Sequence, residues 1–227
     1  MNKIPITMHP IDIKVSQIVD KLVQHNVLYS DTHFQSEKFH HFKKGLVGNI
    51  QVPSTTISPI MERMLFAIPS SSNVQNIVIL GSYFGYAVFW LAGGMNHFNK
   101  GKVVGFDINK EACEGARNNL KNIDLDWVEI KSADAFTGIK EFEDSSIDLI
   151  FIDVEKNGSK SDYALLLDTW YSKLKPGALV LAHDPVIEKF SEDFKKYYER
   201  IEDKQRFSVS VTLPIDQCGL CISRTIY

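Results

Sequence analysis

The stretch Ile77-Val-Ile-Leu-Gly-Ser-Tyr-Phe-Gly85, with Val103-Val-Gly-Phe-Asp107 after it, decides the fold. A short apolar run breaks at a glycine, the apolar segment Tyr86 to Ala92 has helical character, and a second short apolar run ends in an acid. Short runs rich in β-branched residues read as buried strands, so the unit is strand, helix, strand. The same alternation continues through Trp127 to Ile130, Ile147 to Ile152 and Ala178 to Ala182. The intervening helices are expected at Lys110 to Leu120, Ala135 to Phe142 and Asp162 to Leu174. Repeated crossovers of this kind build a parallel sheet with helices on both faces. A further helix is expected from Ile187 to Arg200. Phe207 to Leu213 and Leu220 to Ile226 are then joined by so brief a turn that they must pair antiparallel.

Working outward toward the start of the chain, Val15, Ile18, Val19, Leu22 and Val23 recur at helical spacing within Ile11 to Leu28. Ser58 before Pro59 marks another helix start, running to about Ile68, because a hydroxyl can cap free amides and proline fits the first turn. Between them Ser30 to Thr56 mixes histidines, phenylalanines and lysines with Gly45 and Gly48, which suggests an irregular or partly helical segment able to fold over a site. Residues 1–70 are therefore expected to form a helical cap or lid, and residues 71–227 the α/β body, as one compact unit.

The 227 residues, 44% hydrophobic and 23% charged, describe an ordinary globular chain with a sizeable core. A formal charge of -3 leaves no overall footprint for gripping a polyanion, so nucleic acid is not the expected partner. The apolar runs are too short for a bilayer span, and Met1 to Pro10 lacks the apolar core of a secretory signal, so cytoplasmic residence is expected. Of the three cysteines, Cys218 and Cys221 mimic a redox pair, but no helix follows them, and packing is the expectation.

In a parallel α/β sheet ligands bind beyond the carboxyl ends of the strands. After the first strand, a dinucleotide fingerprint would place a second glycine where Tyr83 stands, so a pyrophosphate is disfavoured, while an adenosine ligand without phosphates is suited. Asp107, 26 residues past Gly81, can accept hydrogen bonds from both hydroxyls of a ribose; as an alternative it caps the next helix. Asp134 can accept from an adenine amino group or, again, cap a helix. Asp153 and Asp184 end neighbouring strands and can form an oxygen-rich site for a magnesium-like divalent cation. Lys156 can serve as a base if burial and that cation lower its pKa, or else pair at the surface with Glu155 or Asp162. His183 reads as a satisfied structural histidine.

From about Thr55 to the end, roughly three quarters of its length, the chain resembles the class I S-adenosylmethionine-dependent O-methyltransferases of the catechol and caffeoyl-coenzyme A type. The matches are Ile77 to Tyr86, Gly101 to Ile108, Asp148 to Lys156, Leu174 to Asp184 and Leu213 to Leu220. The resemblance implies a Rossmann-like, doubly wound, mostly parallel seven-stranded sheet, and S-adenosylmethionine as cofactor. It implies cofactor contacts at Gly81, Ser82, Tyr83, Gly85, Tyr86, Asp107, Ile108, Asp134, Ala135 and Asp153, with Thr56 on the segment leading into the helix before the sheet. It further implies a cation, Mg2+ or similar, on Asp153 and Asp184, proton removal from the acceptor hydroxyl by Lys156, a small-molecule acceptor, and a homodimer.

Three positions depart from the family pattern. Ile79 stands where many relatives carry an acid near the methionine amino group. Pro185 replaces an asparagine that offers a side-chain oxygen to the metal, and Cys221 stands where animal catechol enzymes place a carboxylate that grips substrate. These leave open a metal-independent methyltransferase acting on RNA or another acceptor, an aminopropyl transferase, and a decayed cofactor-binding protein. The basic and aromatic run Lys38 to Lys44 is the feature favouring RNA, and a lid is the alternative reading of it.

Overall fold

Seven strands form one sheet in the computed structural model, which describes residues 9–95 and 101–226; residues 1–8, where the absence of a secretory core was read, lie outside them. The strands are β1 (Ile77–Leu80), β2 (Val103–Asp107), β3 (Glu129–Ser132), β4 (Ile147–Ile152), β5 (Leu174–His183), β6 (Phe207–Leu213) and β7 (Leu220–Thr225). Their order is β3-β2-β1-β4-β5-β7-β6. The first five are parallel, while β7 runs antiparallel to both β5 and β6. The expected α/β class, its parallel body and its antiparallel terminal pair are all present.

The order explains where a ligand belongs. From β1 the chain winds outward to β2 and β3, then returns to place β4 on the other side of β1, with Leu80 opposite Ile152. The crevice beyond this reversal is where doubly wound sheets bind ligands. β1 and β4 are buried at every residue, as strands covered on both faces must be.

Helices α1 (Pro10–Gln24), α2 (Ser36–Leu46) and α3 (Pro59–Ala67) precede the sheet, and α4 (Tyr86–Gly94) follows β1. Ser58 caps α3 by accepting from the Met61 N–H at 3.3 Å, and Pro59 opens its first turn, as the sequence suggested. α4 is apolar on all sides, which fits a helix enclosed between the sheet and the first three helices. One apolar cluster runs from Val15 and Val19 through Met64, Trp90 and Ile79 to Ile222, so the cap shares its core with the sheet face it covers. The opposite face is closed by α6 (Tyr163–Trp170) and α7 (Ser191–Ile201), while α5 (Lys110–Asn122) joins β2 to β3. No helix among the described residues is long and apolar enough to cross a membrane.

Two local readings change. The helix expected at Ala135 to Phe142 is only a single tight turn at Gly138–Glu141. The Asp134 carboxylate takes the Phe136 N–H at 2.8 Å, a turn that competes with helix entry, and a Cβ at Gly138 would fall 2.4 Å from the Phe106 ring. The run Lys38 to Lys44 lies in α2, with Lys38, Phe39, Phe42 and Lys43 turned toward the cap's core and His40, His41 and Lys44 exposed. Phe39 is fully buried, the Lys38 ammonium caps the end of α4 through Gly94 O at 3.2 Å and Met95 O at 2.7 Å, and Lys43 pairs with Glu62 at 2.5 Å. Lys38 and Lys43 are thus engaged within the cap, which favours the lid reading of this run over RNA contact.

Candidate active site

The turn after β1 sets the floor of the groove. Gly81 has φ +89°, and a Cβ placed on it would lie 2.1 Å from the Asp153 carbonyl oxygen, so glycine is needed for the close approach of the β1 and β4 ends. The Asp153 N–H donates to Leu80 O at 2.8 Å and locks that approach. Tyr83 follows with φ +43°, and Gly85, at φ +91°, enters α4.

A groove of about 470 Å³ lies over this floor, bounded by Thr56, Gly81, Ser82, Tyr83, Tyr86, Asp107, Ile108 and Asp153. A narrower recess of about 140 Å³ continues from Gly81, Asp107 and Ile108 to Asp134, Ala135 and Lys156. Every residue expected to touch a cofactor therefore borders this continuous space, with the exception of Gly85, which shapes the turn beneath it. Asp107 takes the Tyr83 N–H on one oxygen at 2.8 Å and the Asn109 N–H on the other at 2.9 Å. A carboxylate has about four acceptor positions, so two remain toward the groove. The helix-cap alternative for Asp107 does not hold, because Asn109 caps α5 through the Ala112 N–H at 3.0 Å. Ile79 is buried in β1 and offers nothing to the groove.

At the far end Asp153 and Asp184 are brought together as expected, but a protein amine stands between them. Lys160 Nζ lies 2.8 Å from Asp153 Oδ1 and 2.8 Å from Asp184 Oδ2, and donates to the Tyr163 hydroxyl at 3.0 Å. His183 Nδ1 lies 3.2 Å from Asp153 Oδ2 and 3.3 Å from Asp184 Oδ1. Lys160 is 2% exposed and His183 not at all. Burial alone would discharge both bases, yet the neighbouring carboxylates win: Lys160 is raised well above its usual range, chiefly by Asp153, and His183 is pushed up to about 10. Burial likewise opposes the Asp153 charge, but His183 and Lys160 hold that carboxyl far below the usual range.

These residues do not fit a divalent cation. Mg2+ needs oxygen ligands at about 2.1 Å in octahedral array, and the space between the carboxylates is taken by an ammonium. The Pro185 carbonyl, the remaining oxygen donor, accepts from the Tyr198 hydroxyl at 3.4 Å. His183, Asp184 and Cys218 hold potential ligand atoms within 4.8 Å of one another, but that carboxylate is the one Lys160 engages. The condition for Lys156 as a base, burial beside the carboxylates, is not met either, since Lys156 is exposed at the recess.

Lys160 escaped the sequence reading, although a signal for it exists. Asn157 and Gly158 both have positive φ, at 53° and 77°, and their turn brings Lys156 and Ser159 into an antiparallel bridge. Asn-Gly is the preferred pair for such a reversal, which returns the chain so that Lys160, not Lys156, points back at β4.

A family model for a methyltransferase domain matches residues 78–185, from within β1 to just past Asp184. Over those residues the chain is similar to that family. The chain also aligns over nearly its whole length with solved structures. An O-methyltransferase from Bacillus cereus in complex with SAH has a TM-score of 0.64 at 18% identity, over 95% of this chain and 99% of that one. The O-methyltransferase TomG from Streptomyces achromogenes, in complex with SAM, gives 0.65 at 14%, over 97% and 100%. An SAH-bound methyltransferase from Podospora anserina gives 0.65 at 16%, over the full length of both chains. At such identities the likeness is one of fold, and it extends to the helical cap. No curated protein sequence matches the chain.

Proposed function

We propose that the groove binds S-adenosylmethionine and that the enzyme transfers its methyl group to a hydroxyl of a small molecule. The observation that carries this reading is the Asp107 carboxylate, fixed by the Tyr83 and Asn109 amides with its free acceptor positions toward the groove, beside a Tyr83 that fills the place of a pyrophosphate. The adenine end is assigned to the recess at Asp134 and Ala135, and the methionine end to Gly81, Ser82, Tyr86 and Thr56. Glu155, which also lines the groove, supplies the negative charge that Ile79 does not. The SAH- and SAM-bound relatives of the same fold support the cofactor, and their O-methyltransferase activity supports the acceptor class. With the reading goes the homodimer that the family resemblance implies.

In the transfer, an acceptor lone pair forms the O–C bond as the C–S bond breaks, and its electrons neutralise the sulfonium. The protein's part is alignment and charge. The hydroxyl proton leaves toward water at the open rim, where Glu155 and Lys156 are exposed. Lys160 and His183, both held protonated, are not bases. No step is routed through a metal.

Titration of the protein with S-adenosylmethionine tests the reading, and absence of binding overturns it. Asp107→Ala is expected to weaken cofactor binding by about 100-fold, the loss of two hydrogen bonds to a charged acceptor, with the fold retained by circular dichroism. Unchanged affinity in that variant would move the ribose elsewhere.

A further inference from the structure

Two carboxylates at the ends of adjacent strands, close enough to share one cation, are an unstable pair unless something neutralises them. Here the neutralising groups come from the chain itself. Lys160 Nζ lies 5.2 Å from the centre of the Tyr163 ring and 5.4 Å from that of Phe190, and the Lys160 backbone N–H is fixed by Asp193 Oδ2 at 2.7 Å. Asp193 also takes the Ser159 hydroxyl at 2.9 Å, so the loop that delivers the lysine is tied to α7. The ammonium has three donors, and Asp153 Oδ1, Asp184 Oδ2 and the Tyr163 hydroxyl satisfy all three. The carboxylates' other oxygens face His183 Nδ1. The space between the two carboxylates is therefore filled by an ammonium held by the protein.

We propose that Lys160 is the resident cation of this site, standing where a divalent metal would bridge Asp153 and Asp184, so that methyl transfer proceeds without added metal. The proposal rests on the methyltransferase reading for its consequence in turnover, but the occupancy of the carboxylate pair is independent of it. Because its donors are saturated by the protein, Lys160 is a positioning residue: it holds Asp153 at the groove wall and does not touch the acceptor. One consequence concerns the acceptor. A metal with open coordination positions selects two adjacent oxygens by chelation, whereas a saturated ammonium does not, so a lone hydroxyl is as good an acceptor as a vicinal pair.

The experiment compares Mn2+ binding, by calorimetry and by the Mn2+ electron spin resonance signal, in the wild type and in Lys160→Met, which keeps the stem and removes the charge. The wild type is expected to show no Mn2+ binding that depends on Asp184, and the same melting temperature in Mn2+ and in EDTA. Lys160→Met is expected to melt lower in EDTA, to recover in Mn2+, and to bind Mn2+ at least about tenfold more tightly than the wild type, because it takes away the cation between the two carboxylates. Adding Asp184→Asn should abolish that gain. Mn2+ binding to the wild type that Asp184→Asn removes overturns the proposal, as does a folded Lys160→Met with no gain in Mn2+ affinity. If Lys160→Met does not fold, the wild-type titration decides alone. A parallel S-adenosylmethionine titration of the wild type separates failure of the cofactor reading from failure of this one.

Discussion

Gly81→Ala is expected to abolish useful cofactor binding while leaving most of the fold in place. The position has φ +89°, where a Cβ costs about 1–2 kcal/mol from backbone sterics alone. The added methyl would also meet the Asp153 carbonyl oxygen at 2.1 Å and its carbon at 2.7 Å. Backbone cannot swing aside as a flexible side chain can, so the ends of β1 and β4 must separate. That movement breaks or lengthens the Asp153 N–H to Leu80 O bond and carries the Asp153 carboxylate with it. A displacement on the order of 1 Å at a reacting site lowers turnover by roughly 100-fold. Calorimetry with S-adenosylmethionine and a thermal melt check the outcome together. Gly45→Ala is the control: nothing lies within 4 Å of its would-be Cβ, and a helical alanine is at least as stable as glycine. Wild-type affinity in Gly81→Ala would mean that the ligand does not run over the β1 turn.

What the sequence revealed and concealed follows from how far each signal reaches along the chain. The strands Ile77–Leu80 and Ile147–Ile152 are short apolar runs bounded by polar residues, and burial on both faces makes such runs unmistakable. The groove residues were legible for a related reason: Gly81, Asp107, Asp134, Asp153 and Asp184 each end a strand or stand within two residues of its end, and the topology alone puts strand ends on one edge. Ala135 to Phe142 misled because its apolar spacing matches a helix, while Asp134 and Gly138 act locally to favour a turn. α2 is mostly polar by composition and gains its place from Phe39 and Lys38 reaching across to Trp90 and the end of α4. Lys160 was hidden for a different reason. Lys156 is nearer to Asp153 in sequence, and only the reversal at Asn157 and Gly158 reverses their nearness in space.

Asp12→Ala is expected to be the most destabilising substitution in the cap. Asp12 is 1% exposed on α1 and gathers the Ser36 hydroxyl at 2.5 Å, His40 Nε2 at 2.7 Å and Arg63 Nε at 2.6 Å. One carboxylate thus ties α1 to both α2 and α3. Arg63 is itself 4% exposed, with its guanidinium 4.5 Å from the centre of the Phe39 ring and one further bond to Pro59 O at 2.7 Å. Removing Asp12 leaves that charge buried without its counter-ion, which costs roughly 3–5 kcal/mol. For a chain of this size the melting temperature should drop by roughly 10 °C. Burial alone would raise the Asp12 carboxyl, but the bonds from Ser36, Arg63 and His40 outweigh it and hold the pKa below its usual value. A carboxyl depressed in the folded state adds stability that is fully present above its unfolded pKa, about 3.9, and is lost as pH falls through the lower folded value. The gap between wild type and Asp12→Ala should therefore be constant from about pH 5 to 8 and close below about pH 4. Arg63→Met in the Asp12→Ala background removes the stranded charge and should restore part of the loss. A double variant no more stable than Asp12→Ala would show that the carboxylate acts through the helix contacts of Ser36 and His40 rather than through the buried ion pair. Because Thr56 and Ile57 lead from the groove wall into α3, the same loosening should weaken S-adenosylmethionine binding, and titration of the folded variant at low temperature reads that coupling directly.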